Sequence, residues 1–386
     1  MLNQKLNLVV ASDIHLGHRK TPTSHIIDNL KKAIPDTKES NDIDMIIFPG
    51  DLYDRLLNHP DNETYEIQQY FGYLLRMCKR RDIVLRVLEG TPSHDRKQPR
   101  HIEVLNESAD VGADVRYIPR LYIEHNERFN IDILYIPDEW SSDNDDTWKQ
   151  VVQLMSDHGL SKVDFTVMHG MFPYQLPAHL DLATHNPERY MSITRHYVFC
   201  GHVHKPSTYG PIQDPNAWPD DYGSIIVPGS FDRLRHNEEE DKGHWRLTID
   251  PNGDDYVEFH PNENAKTYIT VECFDLDIES MLDKVDKALR DIKVDSHVSL
   301  AGTSDDPINA GADLLRRKYP GLQWTVNTKS TKVKDPKETL NDMRATFESK
   351  PINENTIFDM VSSELKELGI DEEQIKRCHE NLRHVL

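Results

Sequence analysis

Apolar residues along this chain fall into short runs that alternate with helical stripes, and several runs stop abruptly at glycine or at a polar residue. Residues 6–11 and 44–48 read as buried strands, and between them Ile26, Leu30 and Ile34 repeat at helical spacing after Ser24, a residue suited to capping. A longer helix is expected over 64–80, with Ile67, Tyr70, Phe71, Leu74 and Leu75 on its apolar side, followed by a strand over 83–88. A short helix over 101–106, strands over 115–118 and 131–136, a helix marked by Val151, Val152, Leu154 and Met155, and a strand over 163–168 continue the series. Strands alternating with helices predict a parallel α/β sheet. After Met168 the texture changes to strands without intervening helices, over 197–200, 224–227, 243–249 and 256–259, which predicts a second sheet.

Pro261-Asn262-Glu263-Asn264-Ala265-Lys266 is polar and rich in breakers, so the first domain is expected to span 1–262. From 266 to 328 a βαβαβ pattern predicts a small α+β domain, marginal on its own at that length. Residues 335–386 read as a charged helical tail, opening on the cap and first-turn pair Asp335-Pro336 and carrying Leu340, Met343 and Phe347, then Ile357, Val361, Leu365 and Leu368, then Ile375, Cys378, Leu382 and Val385 on successive apolar faces. With little core of its own, the tail is expected to dock a protein partner.

The chemistry gathers where the apolar runs end. Ile43-Asp44-Met45-Ile46-Ile47-Phe48-Pro49-Gly50-Asp51 delivers a carboxylate at a sharp glycine turn, and other runs deliver Asp13 with His15, Ser93 with His94, His169, and His202 with His204. Residues two apart on an extended segment point the same way, so Asp13 and His15 form one pair and His202 and His204 another. Mixed oxygen and nitrogen donors at strand ends, where open α/β sheets place their sites, point to a metal centre.

Composition narrows the rest. An apolar fraction of 37% in 386 residues permits a sizeable core, and the scattered Cys78, Cys200, Cys273 and Cys378 form no Cys-x-x-Cys pair, so neither a disulfide framework nor a thiolate zinc site is indicated. No leader-like start and no run long enough to span a bilayer are read, and the expected location is cytoplasmic, away from any membrane. A formal charge of -21 argues against a phosphate-rich partner only if it is evenly spread. It is not: Arg19, Arg55, Arg96 and Lys97 follow the donor motifs closely and are candidates for holding substrate phosphate. No Gly-x-x-x-x-Gly-Lys loop is present, so ATP, if used, must be handled by another chain.

The order Asp13-Ile14-His15, Gly50-Asp51-Leu52-Tyr53-Asp54-Arg55, Gly90-Thr91-Pro92-Ser93-His94-Asp95, His169-Gly170 and Gly201-His202-Val203-His204 resembles the calcineurin-like metallophosphoesterases. Within them the chain is similar to the SbcD-like nuclease subunits of DNA double-strand-break repair, on Asp13-Ile14-His15-Leu16-Gly17-His18, on Pro228-Gly229-Ser230-Phe231-Asp232-Arg233 with Asp241-Lys242-Gly243, and on the small domain and tail. The resemblance implies a four-layer α-β-β-α sandwich with an α+β DNA-capping domain. It implies two divalent ions, manganese being the best match and zinc or iron the alternatives. Asp13, His15, Asp51 and His204 would hold one ion and Asp51, Ser93, His169 and His202 the other, with Asp51 bridging. His94 would protonate the leaving 3′ oxygen as general acid or stabilise the phosphorane, and Asp54 either positions His15 or caps the turn that follows. Ser93 stands where the family carries Asn, so either its hydroxyl reaches the second ion or a water takes the amide oxygen's place, and the second site is expected to be the weaker. The implied activity is that of a DNA phosphodiesterase, a 3′-to-5′ exonuclease and single-strand endonuclease working with an SbcC-like ATPase docked on the tail, by analogy as a homodimer. Alternatives are a stand-alone phosphoesterase on small nucleotides or phosphoproteins, and a scaffold subunit with a decayed site.

Overall fold

β1 (Leu6–Val10), β2 (Met45–Phe48), β3 (Val84–Leu88) and β4 (Val115–Ile118) pair in parallel in that order, connected through α1 (Thr23–Ala33), α2 (Asn62–Arg81) and α3 (His101–Ser108). This computed structural model describes residues 2–37, 42–58, 61–138, 143–177, 182–290 and 292–329; the helices expected over 335–386 lie outside them. β2 and β3 are buried from end to end, which is why they read as unbroken apolar runs and not as alternating ones.

A second sheet has the order β5-β6-β7-β8-β10-β9, built from β5 (Tyr122–Asn126), β6 (Ile131–Ile136), β7 (Val163–His169), β8 (Thr194–Gly201), β9 (Ser207–Tyr209) and β10 (Ser224–Val227). Here β6, β7, β8 and β10 run parallel, and α4 (Asn144–Asp157) and α5 (Pro187–Ile193) make the crossovers. β11 (Gly243–Ile249) and β12 (Tyr256–Pro261) then return to the first sheet, antiparallel, beside β1. The division between sheets therefore differs from the expected one: the second sheet begins at β5, before the helices stop, and β11 and β12 do not belong to it. Chain texture reports which strands are hairpin-like; it does not report which sheet edge receives them. β5, α5 and β9 escaped the sequence reading because β5 carries Glu124, His125 and Asn126, α5 is a two-turn helix and β9 is three residues long. The helix α1 starts at Thr23 with no side-chain cap; Ser24 lies inside its first turn, and the Thr23 hydroxyl instead accepts a hydrogen bond from Gly17 N at 2.9 Å.

Along β1 the alternation of side chains divides the molecule into layers. Leu6, Leu8 and Val10 join Met45, Ile47, Ile133, Phe165, Phe199 and Leu247 in a core between the two sheets, whereas Val9 faces the helical side with Ile26, Leu30, Phe71 and Leu74. On the far side of the second sheet, Leu134, Met168 and Val198 pack against Val151, Met155, Tyr190 and Met191 of α4 and α5. The result is a four-layer α-β-β-α sandwich. One polar tie crosses its interior: the buried Arg86 of β3 donates to both carboxylate oxygens of Glu124 on β5, at 2.6 and 2.8 Å, and Tyr135 donates to Glu124 at 3.0 Å. A bidentate, hydrogen-bonded pair of this kind is tolerated in an apolar layer because neither charge is left unsatisfied.

A smaller α+β element follows, β13 (Tyr268–Glu272), α6 (Ile278–Ala288), β14 (His297–Thr303), α7 (Ile308–Lys318) and β15 (Gln323–Lys329), with sheet order β13-β14-β15 and its own core of Met281, Val285, Val298, Leu300, Ala312 and Leu315. Described residues through Asn327, apart from Gly302–Asp306, form one compact unit; of the remaining unit only Gly302–Asp306 and 328–329 are described. The smaller element is fastened to the loop after β1, where Tyr268 OH meets Thr21 Oγ1 at 2.9 Å and His297 Nε2 donates to Lys20 O at 2.8 Å, and to Asp232, which accepts from Lys266 N at 2.6 Å.

Two buried histidines predict acid sensitivity. Burial pushes His185 down to about 4 and His244 down to about 3, so both are neutral in the native state at pH values where an unfolded chain would protonate them. Between roughly pH 6.5 and 4 the unfolded state binds more protons, and stability falls with falling pH by up to ~1.4 kcal/mol per pH unit per group. Urea midpoints measured across that range should decline, and His244→Asn should flatten the slope; an unchanged slope would show that His244 is protonated in the folded protein.

Candidate metal centre

Two strand ends are zipped together beyond the last ladder pairs. Ile14 N and His15 N both donate to Asp51 O, at 2.9 and 3.1 Å, Leu16 N donates to Leu52 O at 2.9 Å, and Asp54 N donates back to Leu16 O at 3.0 Å. This second, irregular ladder turns Asp13, His15 and Asp51 into one corner. All three, and His202, adopt left-handed backbone with φ of 49°, 53°, 49° and 97°. Side-chain-bearing residues held there cost about 1–3 kcal/mol each, and such strain persists where the surroundings over-determine it. Glycine is required at two close approaches here: a Cβ on Gly50 would lie 2.2 Å from His169 Nδ1, and one on Gly90 would lie 2.1 Å from Asp51 N and 2.3 Å from its carboxylate.

The donors converge in overlapping groups, Asp13 with His15 and His204, Asp51 with His169 and His202, and His15 with Asp51 and His94, each with ligand atoms within 4.8 Å of one another. Asp13, His15, Asp51 and His169 are buried. His202 N donates to both carboxylate oxygens of Asp13 at 3.1 Å, which joins the first pair of donors to the last. His169 donates Nδ1–H to Pro49 O at 2.7 Å, leaving Nε2 aimed at Asp51, 3.4 Å away. His204 Nδ1 donates to Glu238 at 2.7 Å, and its Nε2 faces His15 Nε2 at 3.1 Å and Asp13 at 3.8 Å.

Charge in the corner is dominated by these pairings. Burial alone would raise Asp51, but the imidazoles of His169, His15 and His94 hold its carboxyl far below the usual carboxylate range. Burial would likewise lower His169, yet the Asp51 carboxylate against it lifts the imidazole to about 10. His202 is pushed down, by burial and then by the charge of His169. For Glu238, burial is overcome by His204 and Lys242, and the carboxyl drops to about 2.

These residues fit divalent cations. With His204 Nδ1–H committed to Glu238, its Nε2 bears the lone pair in the neutral ring, so two imidazole nitrogens and a carboxylate converge on one point; like-signed lone pairs 3.1 Å apart are stable only around a proton or a cation. The Asp51 carboxylate reaches toward both this set and the His169–His202 set, lying 3.9 Å from His15 Nε2 and 3.4 Å from His169 Nε2.

His94 borders the corner, with a ring nitrogen within 4.8 Å of ligand atoms on His15 and Asp51. Its Nδ1 bonds Asp54 O, its ring lies edge-on to His15 with centroids 4.9 Å apart, and the turn that carries it is held by the buried Asp95, which accepts from Tyr53 N at 2.9 Å and Gly90 N at 2.8 Å. Burial and the charge of Asp51 push Asp95 well above the ordinary carboxyl range. Asp54 Oδ1 faces His15 Nδ1 at 3.3 Å; its carboxyl is lowered by the neighbouring imidazoles, His15 foremost, against the opposing effect of burial. Ser93 is exposed, while Thr91, two residues earlier, brings its hydroxyl within 3.3 Å of Asp51 Oδ2. Of the basic candidates, Arg19, Arg96 and Lys97 are exposed, and Arg55 is engaged by Gly17 O at 3.1 Å and Glu63 at 3.4 Å.

Sequence reasoning missed Glu238, Lys242 and Arg235. Lys242 is buried and donates to His204 O at 2.9 Å, so the stretch 228–243 acts as a backing for His204. A pocket of about 380 Å³ opens beside Asp51, His94, His202 and His204, and Lys205, Arg235 and Lys242 line it as well. The signal available in advance was the Asp241-Lys242-Gly243 motif; nothing local marks Glu238 as the partner of a histidine 34 residues away.

No curated protein matches the chain significantly. Among solved structures, TT1561 of Thermus thermophilus is 10% identical, with a TM-score of 0.39 over 67% of this chain and 99% of that one. A structure described as GAP50, the anchor in the inner membrane complex of Plasmodium, is 12% identical, with a TM-score of 0.42 over 68% and 87%. The calcineurin-like phosphoesterase family matches residues 6–206, more than half of the chain, and that span contains every one of the converging carboxylates and imidazoles: the chain belongs to the calcineurin-like phosphoesterases.

Proposed function

We propose that this metal-dependent phosphoester hydrolase is a DNA phosphodiesterase, a 3′-to-5′ exonuclease with single-strand endonuclease activity, working with an SbcC-like ATPase. The observation that supports the hydrolytic reading is the place of the Asp51 carboxylate, 3.9 Å from His15 Nε2, which converges with Asp13 and His204, and 3.4 Å from His169 Nε2, which converges with His202. Two divalent ions held there would supply a nucleophile at neutral pH and stabilise charge on the attacking and leaving oxygens of an in-line displacement. Mixed imidazole and carboxylate donors suit manganese.

This chain's own residues supply the rest. His94, anchored through Nδ1 to Asp54 O, turns Nε2 toward the pocket and, as imidazolium, gives its proton to the departing oxygen. Lys205 and Arg235 on the pocket wall hold phosphate. A nucleic acid is favoured over a small phosphomonoester because an α+β element is fastened to the loop after His15, and because the motifs of residues 13–18 and 228–243 resemble those of SbcD-like nucleases. Residues 335–386, the expected ATPase-docking tail, complete the reading, as does a cytoplasmic location; among the described residues no helix is long and apolar enough to cross a membrane.

Labelled duplex and single-stranded DNA, beside a generic aryl phosphodiester, test the proposal with purified chain and Mn2+, with and without an SbcC-like ATPase. Metal-dependent shortening from the 3′ end is expected. Turnover of the small ester with DNA left intact under both conditions would favour a stand-alone phosphoesterase; no turnover of anything would favour a scaffold.

A further inference from the structure

We propose that Thr91, through its side-chain hydroxyl, is the oxygen donor that completes the ion site of Asp51, His169 and His202. The inference rests on the two-metal reading above and names a residue of that centre which the family pattern does not predict. Thr91 Oγ1 lies 3.3 Å from Asp51 Oδ2, 3.4 Å from His169 Nε2 and 3.4 Å from His202 Nδ1. A hydroxyl has one proton, so it can donate to only one of these three neighbours at a time. With His169 Nδ1–H committed to Pro49 O, a cation that takes the place of the Nε2 proton would find that ring nitrogen, the Asp51 carboxylate and the threonine oxygen turned toward one centre.

The separations are those of ligands on one ion. Donors bound about 2.0–2.2 Å from a metal stand roughly 3–3.5 Å from one another, longer than a good O–H···O bond and matching the distances around Thr91. A neutral threonine or serine hydroxyl is an established kind of ligand for hard divalent cations, as in phosphate-binding loops. The backbone explains why Thr91 and not Ser93 takes this place. His94 N and Asp95 N both donate to Thr91 O, at 2.8 and 2.9 Å, closing a tight turn that carries Pro92 and Ser93 outward, and Thr91 N donates to Asp51 Oδ1 at 2.6 Å, which holds the threonine against the bridging carboxylate.

The test counts and distinguishes ions in the full chain. Wild type, Thr91→Val, Thr91→Ser and Ser93→Ala are stripped with chelator and titrated with Mn2+ by calorimetry, and the loaded forms are examined by electron paramagnetic resonance. Expected are two ions in wild type, Thr91→Ser and Ser93→Ala. In Thr91→Val one ion should bind as in wild type and the other at least about tenfold more weakly, a scale set by the loss of even an outer-shell partner. The spin-coupled signal of the pair should then give way to the six-line signal of a lone ion. Valine keeps the shape and loses only the hydroxyl, and Thr91→Ala gives the same readout should valine impair folding. Two tight ions in Thr91→Val, or a loss confined to Ser93→Ala, would overturn the assignment while leaving the two-metal reading intact. Equal weakening of both ions would make Thr91 a positioning residue for Asp51. Fewer than two ions in wild type would overturn the two-metal reading itself, and this inference with it.

Discussion

Asp51→Ala is expected to leave a folded protein that binds neither ion tightly and has lost turnover by about 10³ or more, since metal assistance is worth several kcal/mol in the transition state and each ~1.4 kcal/mol is tenfold in rate. Every other donor belongs to one end of the corner. Asp51 alone faces His15 at 3.9 Å and His169 at 3.4 Å, and it also receives Thr91 N. Its removal also takes from His169 the carboxylate that does most, against burial, to lift its imidazole to about 10. Metal content by elemental analysis, alongside turnover of a phosphodiester, checks the expectation. Two tightly held ions in the mutant would place the bridge on another residue.

His94→Ala is the second large effect, and a different one. The variant should keep its ions and lose about 10² to 10⁴ in rate, the usual worth of a positioned general acid. Geometry makes the experiment informative: His15, Asp51 and His94 also bring ligand atoms within 4.8 Å of one another, so a metal-ligand role for His94 is a concrete alternative. If metal content falls as steeply as activity, the ring is a ligand; if the ions stay and a substrate with a more acidic leaving group recovers much of the lost rate, it is the acid. The Asp54 carbonyl that fixes Nδ1 is main chain, so replacing the Asp54 side chain should disturb His15 more than His94.

Much of this centre was visible in the chain before folding was considered. Asp13, His15, Asp51, His169, His202 and His204 each end an apolar run, and because a parallel strand must be left by a turn at its carboxyl end, such residues gather along one edge of the sheets. The small α+β element was visible for a similar reason: its apolar positions keep strand and helix periods over short, well-separated segments. Less visible was the turn of Gly90-Thr91-Pro92-Ser93-His94-Asp95. Ser93, which precedes His94, reads in the sequence either as a direct donor or as leaving its place to a water, and proximity along the chain does not decide direction in a turn: the hydrogen bonds to Thr91 O close one in which Ser93 is exposed. Glu238 and Lys242 were invisible as partners of His204, since their approach depends on how the loop before β11 folds back over β8.

Local order is what the amino-acid sequence by itself determined: period and punctuation set which segments become strands and helices and which polar side chains stand at their ends, because those choices depend on neighbours within a few residues. Tertiary structure alone decided the rest. It placed β11 and β12 beside β1, drove Asp13, His15, Asp51 and His202 into left-handed backbone, and aimed Thr91 inward, since each outcome is a balance between local strain and contacts with residues far away in the chain.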